Sequence, residues 1–245
     1  MRTLRVVFLH GWFQKIDLLF GSYALNPFVV ESRDLFAVFG MTSHPQVDRP
    51  DLDALFADLA HPNPNIQREA YLAMVDYWPE ESMPRLLALL GQSDVSVYRA
   101  AVKGLGAFGA TALQPLADLF SSSPDGTVRA CCVKAYAQIA SNFPEQDFSP
   151  EAMMVLETAL SDESPVVSQS AVMALGQVGA QALPLLIRIC KGDNIAHVQS
   201  AAMALAEIPA PEAEACLRDV FSDPATDPLA RQMVEASLGR LKSSH

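Results

Sequence analysis

Four cysteines are the residues of this chain best suited to metal or covalent chemistry, and their spacing argues against it. Cys131 and Cys132 are adjacent, Cys190 and Cys216 lie far downstream, and no Cys-x-x-Cys pair occurs. An iron–sulfur or zinc site needs thiolates that converge on one point. Neighbours on a helix point about 100° apart, so Cys131 and Cys132 do not converge. Irregular, unpaired cysteines suit a reducing compartment such as the cytoplasm better than a disulfide framework. The histidines His10, His44, His61, His197 and His245 have no His-x-x-x-His or carboxylate partner in register. No Ser–His–Asp order and no glycine-rich phosphate loop after a strand is present. The expectation is no catalytic residue and no metal ligand set.

The elements that carry these residues repeat. Ala101 to Gly109 (Ala-Val-Lys-Gly-Leu-Gly-Ala-Phe-Gly) returns as Ala171 to Gly179 (Ala-Val-Met-Ala-Leu-Gly-Gln-Val-Gly), with weaker copies around Ala70, Cys132, Ala201 and Val234. The apolar anchors Met74, Leu105, Tyr136, Leu175, Leu205 and Leu238 follow one another at 31, 31, 39, 30 and 33 residues. A period of about 30 to 40 residues marks a solenoid of helical hairpins. Each first helix ends in an apolar pair four apart: Leu55/Leu59, Leu86/Leu90, Leu116/Phe120, Leu156/Leu160, Leu186/Cys190 and Leu217/Phe221. That spacing puts both side chains on one face. Turns rich in Pro, Ser, Gly, Asn and Asp follow, and the second helix carries an apolar residue four before a small one, as in Val97/Ala101 and Val167/Ala171. Such hairpins bury enough surface only when stacked. An all-α, right-handed α-solenoid of about six hairpins is expected from about Asp51 to Leu241. In its columns Cys132 replaces alanine and Cys190 replaces a large apolar residue, so packing explains both; Cys131 is the one expected to be exposed.

The short unit resembles HEAT repeats. Val128-Arg129 near the start of a second helix and Ala174-Leu175-Gly176 at the middle of another are similar to the HEAT-like repeats of cyanobacterial phycobilin lyases. The wider group holds paired lyase subunits, phycobilisome-degradation proteins and the IaiH-type iron–sulfur assembly protein. Pro79 to Leu87 (Pro-Glu-Glu-Ser-Met-Pro-Arg-Leu-Leu) and the long inter-repeat segment give a texture closest to the last. The resemblance implies a protein-binding scaffold in a cofactor or phycobilisome pathway, acting through its concave face. The alternative it implies is a subunit of a lyase that attaches or removes a bilin on phycobiliprotein cysteines. Implied partners are a phycobiliprotein, a second lyase-type subunit or a cluster-assembly protein. No cofactor is expected to be bound permanently; a bilin or an iron–sulfur cluster would come through a partner.

Two columns of the second helix bear on that face. Two residues before the anchor stand Leu72, Lys103, Lys134, Met173, Met203 and Ala236, and six before it stand Arg68, Arg99, Ala130, Gln169, Gln199 and Gln232. Positions four apart share a face. In HEAT stacks the second helices line the concave side. Arg68, Arg99, Lys103 and Lys134, with Arg129 nearby, would make it basic over three repeats, and Met173 and Met203 continue it. An acidic partner surface or the propionates of a tetrapyrrole would suit this strip.

The chain as a whole is acidic, with 17 Lys and Arg against 28 Asp and Glu, net −11. That argues against nucleic acid and anionic membrane as main partners. No run of eighteen consecutive apolar residues is present, so no membrane span is expected. Residues 1–40 break the pattern: they hold six of the twelve Phe and carry a net charge of +1. Two readings stand for them: an over-extended start, with translation beginning at Met41 ahead of a solenoid over 41–245, or a Phe-rich arm that docks on it. Between repeats three and four, Ser141 to Pro150 inserts eight or nine residues, with Phe143 and Phe148 expected to tuck into the core.

Overall fold

The computed structural model describes residues 49–243, with side chains through Leu241. The segment 1–40 lies outside the described residues. Twelve α-helices and one 3-10 turn fill the described span, which contains no strand. They pair as six hairpins: α1 (Leu52–Asp58) with α2 (Pro64–Tyr77), α3 (Pro79–Leu89) with α4 (Val95–Ala107), and α5 (Ala110–Ser122) with α6 (Gly126–Asn142). Then come α7 (Pro150–Ala159) with α8 (Pro165–Val178), α9 (Leu183–Cys190) with α10 (Ile195–Glu207), and α11 (Pro211–Ser222) with α12 (Pro228–Ser243). The 3-10 turn Gly179–Ala182 leads into α9.

Local chemistry sets the boundaries. Asp51, Asn63, Asp94, Asp125, Ser149 and Asn194 each accept a bond from a first-turn amide of the helix that follows. Each bond satisfies a donor that the helix itself leaves open. Pro64, Pro79, Pro150, Pro165 and Pro211 occupy first-turn positions, where a missing N–H costs nothing. The two strongest sequence copies end alike, at Gly109 (φ 58°) and Gly179 (φ 72°). A side chain is disfavoured at such a φ, so both glycines turn the chain into the next hairpin.

One core runs through the stack. The anchors Met74, Leu105, Tyr136, Leu175 and Leu205 are fully buried, and so are Leu86, Leu116, Leu156, Leu186 and Leu217 of the first helices. Each buried leucine contributes roughly 1.5–3 kcal/mol relative to exposure. Second helices pack on one another more closely than first helices do. Small residues permit this: a Cβ on Gly106 of α4 would lie 2.2 Å from Gln138 Cγ of α6, and one on Gly176 of α8 would lie 3.1 Å from Ala204 Cβ of α10. The tighter layer is the inner one, so α2, α4, α6, α8, α10 and α12 line the concave side.

The inserted segment is held down. Helix α6 continues to Asn142, whose side-chain Nδ2 donates to Gly106 O at 3.0 Å. Phe148 is buried edge-on against Tyr136, with ring centroids 5.8 Å apart. The Phe148 amide donates to Gln181 Oε1 at 2.9 Å, and Gln181 Nε2 donates to Phe148 O at 2.6 Å. Phe143 does not tuck in; it stays 37 % exposed, with its ring over Gly109. The stretch Pro165–Cys190 is apolar and long enough to cross a bilayer by length and composition alone. In the fold it is two helices divided at Gly179, and it gives Val167, Ala171, Leu175 and Leu186 to the core.

All four cysteines are free thiols and all four are buried. Cys131 therefore departs from the expected exposure: it is fully buried, and Ala100 and Ser170 at the same register of α4 and α8 are buried too. Burial pushes the Cys132 thiol up to about 12, and burial also raises the Tyr136 phenol. A thiol raised in the folded state stabilises fully below its unfolded value near 9 and loses that contribution as pH climbs towards 12. Cys132→Ala is expected to cost little at pH 7, because alanine fills the same column elsewhere, and to flatten the fall in Tm above pH 9. Melting curves between pH 7 and 10.5 check this; an unchanged alkaline limb would show that Cys132 does not contribute to it.

Candidate functional site

The inner layer presents the two columns as a face. Leu72, Lys103, Lys134, Met173, Met203 and Ala236 are all exposed, one from each second helix. Arg68 and Arg99 lie one turn earlier and are exposed as well, whereas Ala130 is buried in the same column. Four cations thus stand on α2, α4 and α6: Arg68, Arg99, Lys103 and Lys134.

Their electrostatic situation differs from that of the other basic side chains. On the first helices and turns, Arg85 pairs with Asp53 at 2.8 Å, Lys191 with Asp219 at 3.4 Å, Arg188 with Glu157 and Arg218 with Glu214. Arg49 lies over the Trp78 ring, and Arg231 donates to the carbonyls of Asp223 and Thr226. Among the described residues, only the four inner cations have no ion pair, hydrogen bond or ring contact. In a chain of net charge −11, leaving four neighbouring cations unpaired is a local excess of positive charge on one face.

Arg129 does not join them, contrary to the sequence expectation. Its Nε donates to Asp162 Oδ2 at 2.8 Å and its Nη2 to Asp162 Oδ1 at 2.9 Å, across to the turn of the next hairpin. Its Nη1 donates to the carbonyls of Ser123 and Pro124, and its Nη2 reaches Glu163 at 3.4 Å. Both side chains are nearly buried, at 12 % and 8 % exposure. The hydrogen bond from Arg129 holds the Asp162 carboxyl below the usual carboxylate range. Arg129 is a clamp between hairpins three and four, with no donor left for a partner.

Past Lys134 the face changes character. Met173 is 61 % exposed and Met203 41 %. Met173 and Lys134 line a cleft of about 330 Å³ between α6 and α8, with Gln138, Ser141, Ser170 and Gln177. Met203 lines a second one of about 310 Å³ between α10 and α12, with Gln199, Leu229, Gln232, Met233 and Arg240. This face was legible from the column register; the clefts between helices were not, because they depend on how closely neighbours approach.

A further cleft, about 860 Å³, lies at the turns of hairpins five and six. Most of its charges are engaged locally: Lys191 with Asp219, Arg231 with the carbonyls of Asp223 and Thr226, and Asp223 and Asp227 capping turn amides. No group of three or more His, Cys, Asp or Glu among the described residues stands together as metal ligands.

Comparisons with known proteins agree with this architecture. The family model for HEAT repeats matches residues 52–137. Bilin biosynthesis protein CpeZ of Synechococcus sp. (strain WH8020) is 46% identical over 181 residues, covering 71% of this chain and 97% of the relative. The "Uncharacterized phycocyanin operon protein Z" of Pseudanabaena tenuis (strain PCC 7409) is 34% identical over 192 residues, covering 78% of this chain and 95% of the relative. A designed armadillo repeat protein is similar in structure at a TM-score of 0.39 and 19% identity, covering 78% of this chain and 100% of that one. The two relatives are named for bilin and phycocyanin, so the likeness to an iron–sulfur assembly protein has no counterpart in them. The extent of the first match makes the chain a member of the HEAT-repeat family of bilin biosynthesis protein CpeZ.

Proposed function

We propose that this chain is a protein-binding scaffold of bilin biosynthesis, working in the cytoplasm and holding a phycobiliprotein subunit against its concave face. The observation that carries the reading is the row of unpaired cations, Arg68, Arg99, Lys103 and Lys134, on the inner side of an acidic chain. Cations left without carboxylates inside the molecule are available to carboxylates outside it, and charge-assisted hydrogen bonds to them are the stronger kind. The names of the relatives supply the pathway.

A second reading rests on the cleft shared by Lys134 and Met173. A cation beside a soft apolar side chain suits a tetrapyrrole, whose propionate would meet Lys134 and whose ring would lie on Met173. In that case the chain is one subunit of a bilin lyase, acting beside a second repeat chain. One titration separates the two. The full chain is mixed with an apo-phycobiliprotein subunit and, separately, with free bilin. The scaffold reading expects saturable binding of the subunit and no absorbance shift of the bilin. A bilin shift abolished by Lys134→Glu favours the lyase reading. Binding of neither overturns both.

A further inference from the structure

We propose that the concave face reads a polarised helix: an amphipathic helix of the bound protein, with carboxylates towards one end lying over hairpins one to three and apolar side chains towards the other lying over hairpins four to six. This rests on the reading of the concave face as the partner site and adds the shape and polarity of what it holds.

The two halves of the face differ in kind. The unpaired cations Arg68, Arg99, Lys103 and Lys134 all belong to α2, α4 and α6. On α8, α10 and α12 the same columns carry Gln169, Met173, Gln199, Met203, Gln232 and Ala236, none of them charged. Exposed apolar bulk collects there: Val166 (57 %), Met173 (61 %), Met203 (41 %) and Leu229 (47 %). Val166 and Met173 are seven apart and share one face of α8. Leu72 (43 %) and Val95 (45 %) are the exceptions, exposed apolar residues on α2 and α4 in the basic half. A third row, two after each anchor, holds Asp76, Ala107, Gln138, Gln177, Glu207 and Arg240 and shows no such division. The halves meet at the cleft lined by both Lys134 and Met173.

The occupant follows from geometry and from what the glutamines are doing. Helices in contact lie about 8–10 Å apart, so six inner helices span roughly 40–50 Å. At 1.5 Å per residue, a helix of about 30 residues covers that length. The two clefts, between α6 and α8 and between α10 and α12, accept side chains from such a helix. Flexible methionines adapt to apolar side chains of differing shape. An extended peptide would instead need a free row of side-chain amides along the groove. Gln169 breaks such a row at its start, since its Nε2 donates to Ser200 Oγ at 2.7 Å and its Oε1 is buried, which leaves only Gln199 and Gln232 exposed in that column.

The test uses the full chain and two synthetic helix-forming peptides of about 28 residues, a length set by the span. One carries glutamates in one half and leucines in the other; its control has the same composition with the two interspersed. A photo-crosslinking benzoylphenylalanine is placed at position 72 or position 236, exposed places in one column at opposite ends of the face. The expected result is tighter binding of the polarised peptide by at least roughly fivefold, a difference a single charge cluster can supply. Position 72 should then crosslink to its glutamate half and position 236 to its leucine half. Equal affinities, or crosslinks from both positions to both halves, would overturn the polarity and leave the concave face as the partner site. Saturable binding with no crosslink from either position would overturn both. Crosslinks from an extended peptide lacking helical circular dichroism when bound would overturn the helix.

Discussion

Reversing two inner cations together, Lys103→Glu with Lys134→Glu, is expected to weaken binding of an apo-phycobiliprotein subunit at least roughly tenfold, equivalent to about 1.4 kcal/mol, and to leave folding intact. Both side chains are exposed, at the same register of successive inner helices, and neither has an ion-pair or hydrogen-bond partner among the described residues. Helices in contact stand about 8–10 Å apart, close to the Debye length of about 8 Å at physiological salt. The two ammonium groups therefore act on a partner as one patch, and they repel each other mildly when nothing is bound. The variant exchanges one weak, solvent-screened repulsion between exposed groups for another, so folding should not suffer. The loss should fall largely on association, and the remaining affinity should depend less on salt. The control is Arg188→Glu with Arg218→Glu, which changes net charge equally but acts on first helices. Those arginines already pair with Glu157 and Glu214 in exposed positions, where an ion pair contributes little. Equal losses from both doubles would mean that net charge alone governs binding, and the concave face would lose its special place.

How much of this was legible in the sequence differs by level. The hairpins were, because the six anchors and the paired leucines repeat in register and because each turn carries its own caps. The row of cations was legible for the same reason: a column two before a buried anchor points away from the core in every repeat. Arg129 was not. It lies seven before its anchor, and a residue there turns towards the loop end of its helix. Its counterpart in hairpin six, Arg231, likewise donates to the carbonyls of its own turn. What completes the Arg129 clamp is Asp162, delivered across from the next turn after the longest interval of the repeat, and no local pattern announces that meeting. Cys131 was misread for a smaller reason. Its column elsewhere runs Glu69, Ala100, Ser170, Ser200 and Met233, and the small residues of its middle repeats are the sign of a close neighbour there. The two clefts beside Met173 and Met203 depend on helix spacing and leave no mark in the sequence.

The clamp itself gives the largest expected effect on stability. Arg129→Ala removes two hydrogen bonds to Asp162 and two to the turn carbonyls of Ser123 and Pro124, and it leaves Asp162 nearly buried with its charge unpaired. Removing one partner of a buried pair is strongly destabilising because the other charge is stranded, so Tm should fall by roughly 5 °C or more in a chain of this size. The pH dependence has a definite sign. In the native protein the Asp162 carboxyl is held below its ordinary value, first by the hydrogen bond from Arg129. Its contribution is therefore present above the unfolded carboxylate value near 3.8 and is lost as pH falls through the lower folded value. Without Arg129 the same carboxyl keeps the Ser164 amide but loses its counter-charge, so burial weighs more towards the protonated form. The gap in Tm between native protein and variant should then narrow as pH falls below about 4. Asp162→Ala added to Arg129→Ala should recover part of the loss at pH 7, because no stranded charge remains. Since the clamp faces the turns and not the groove, Arg129→Ala should leave partner affinity unchanged at temperatures where the variant is folded. A Tm within a degree or two of the native protein, or no recovery in the double variant, would show that the pair does not hold hairpins three and four together. A tenfold loss of affinity in the folded variant would return Arg129 to the binding face.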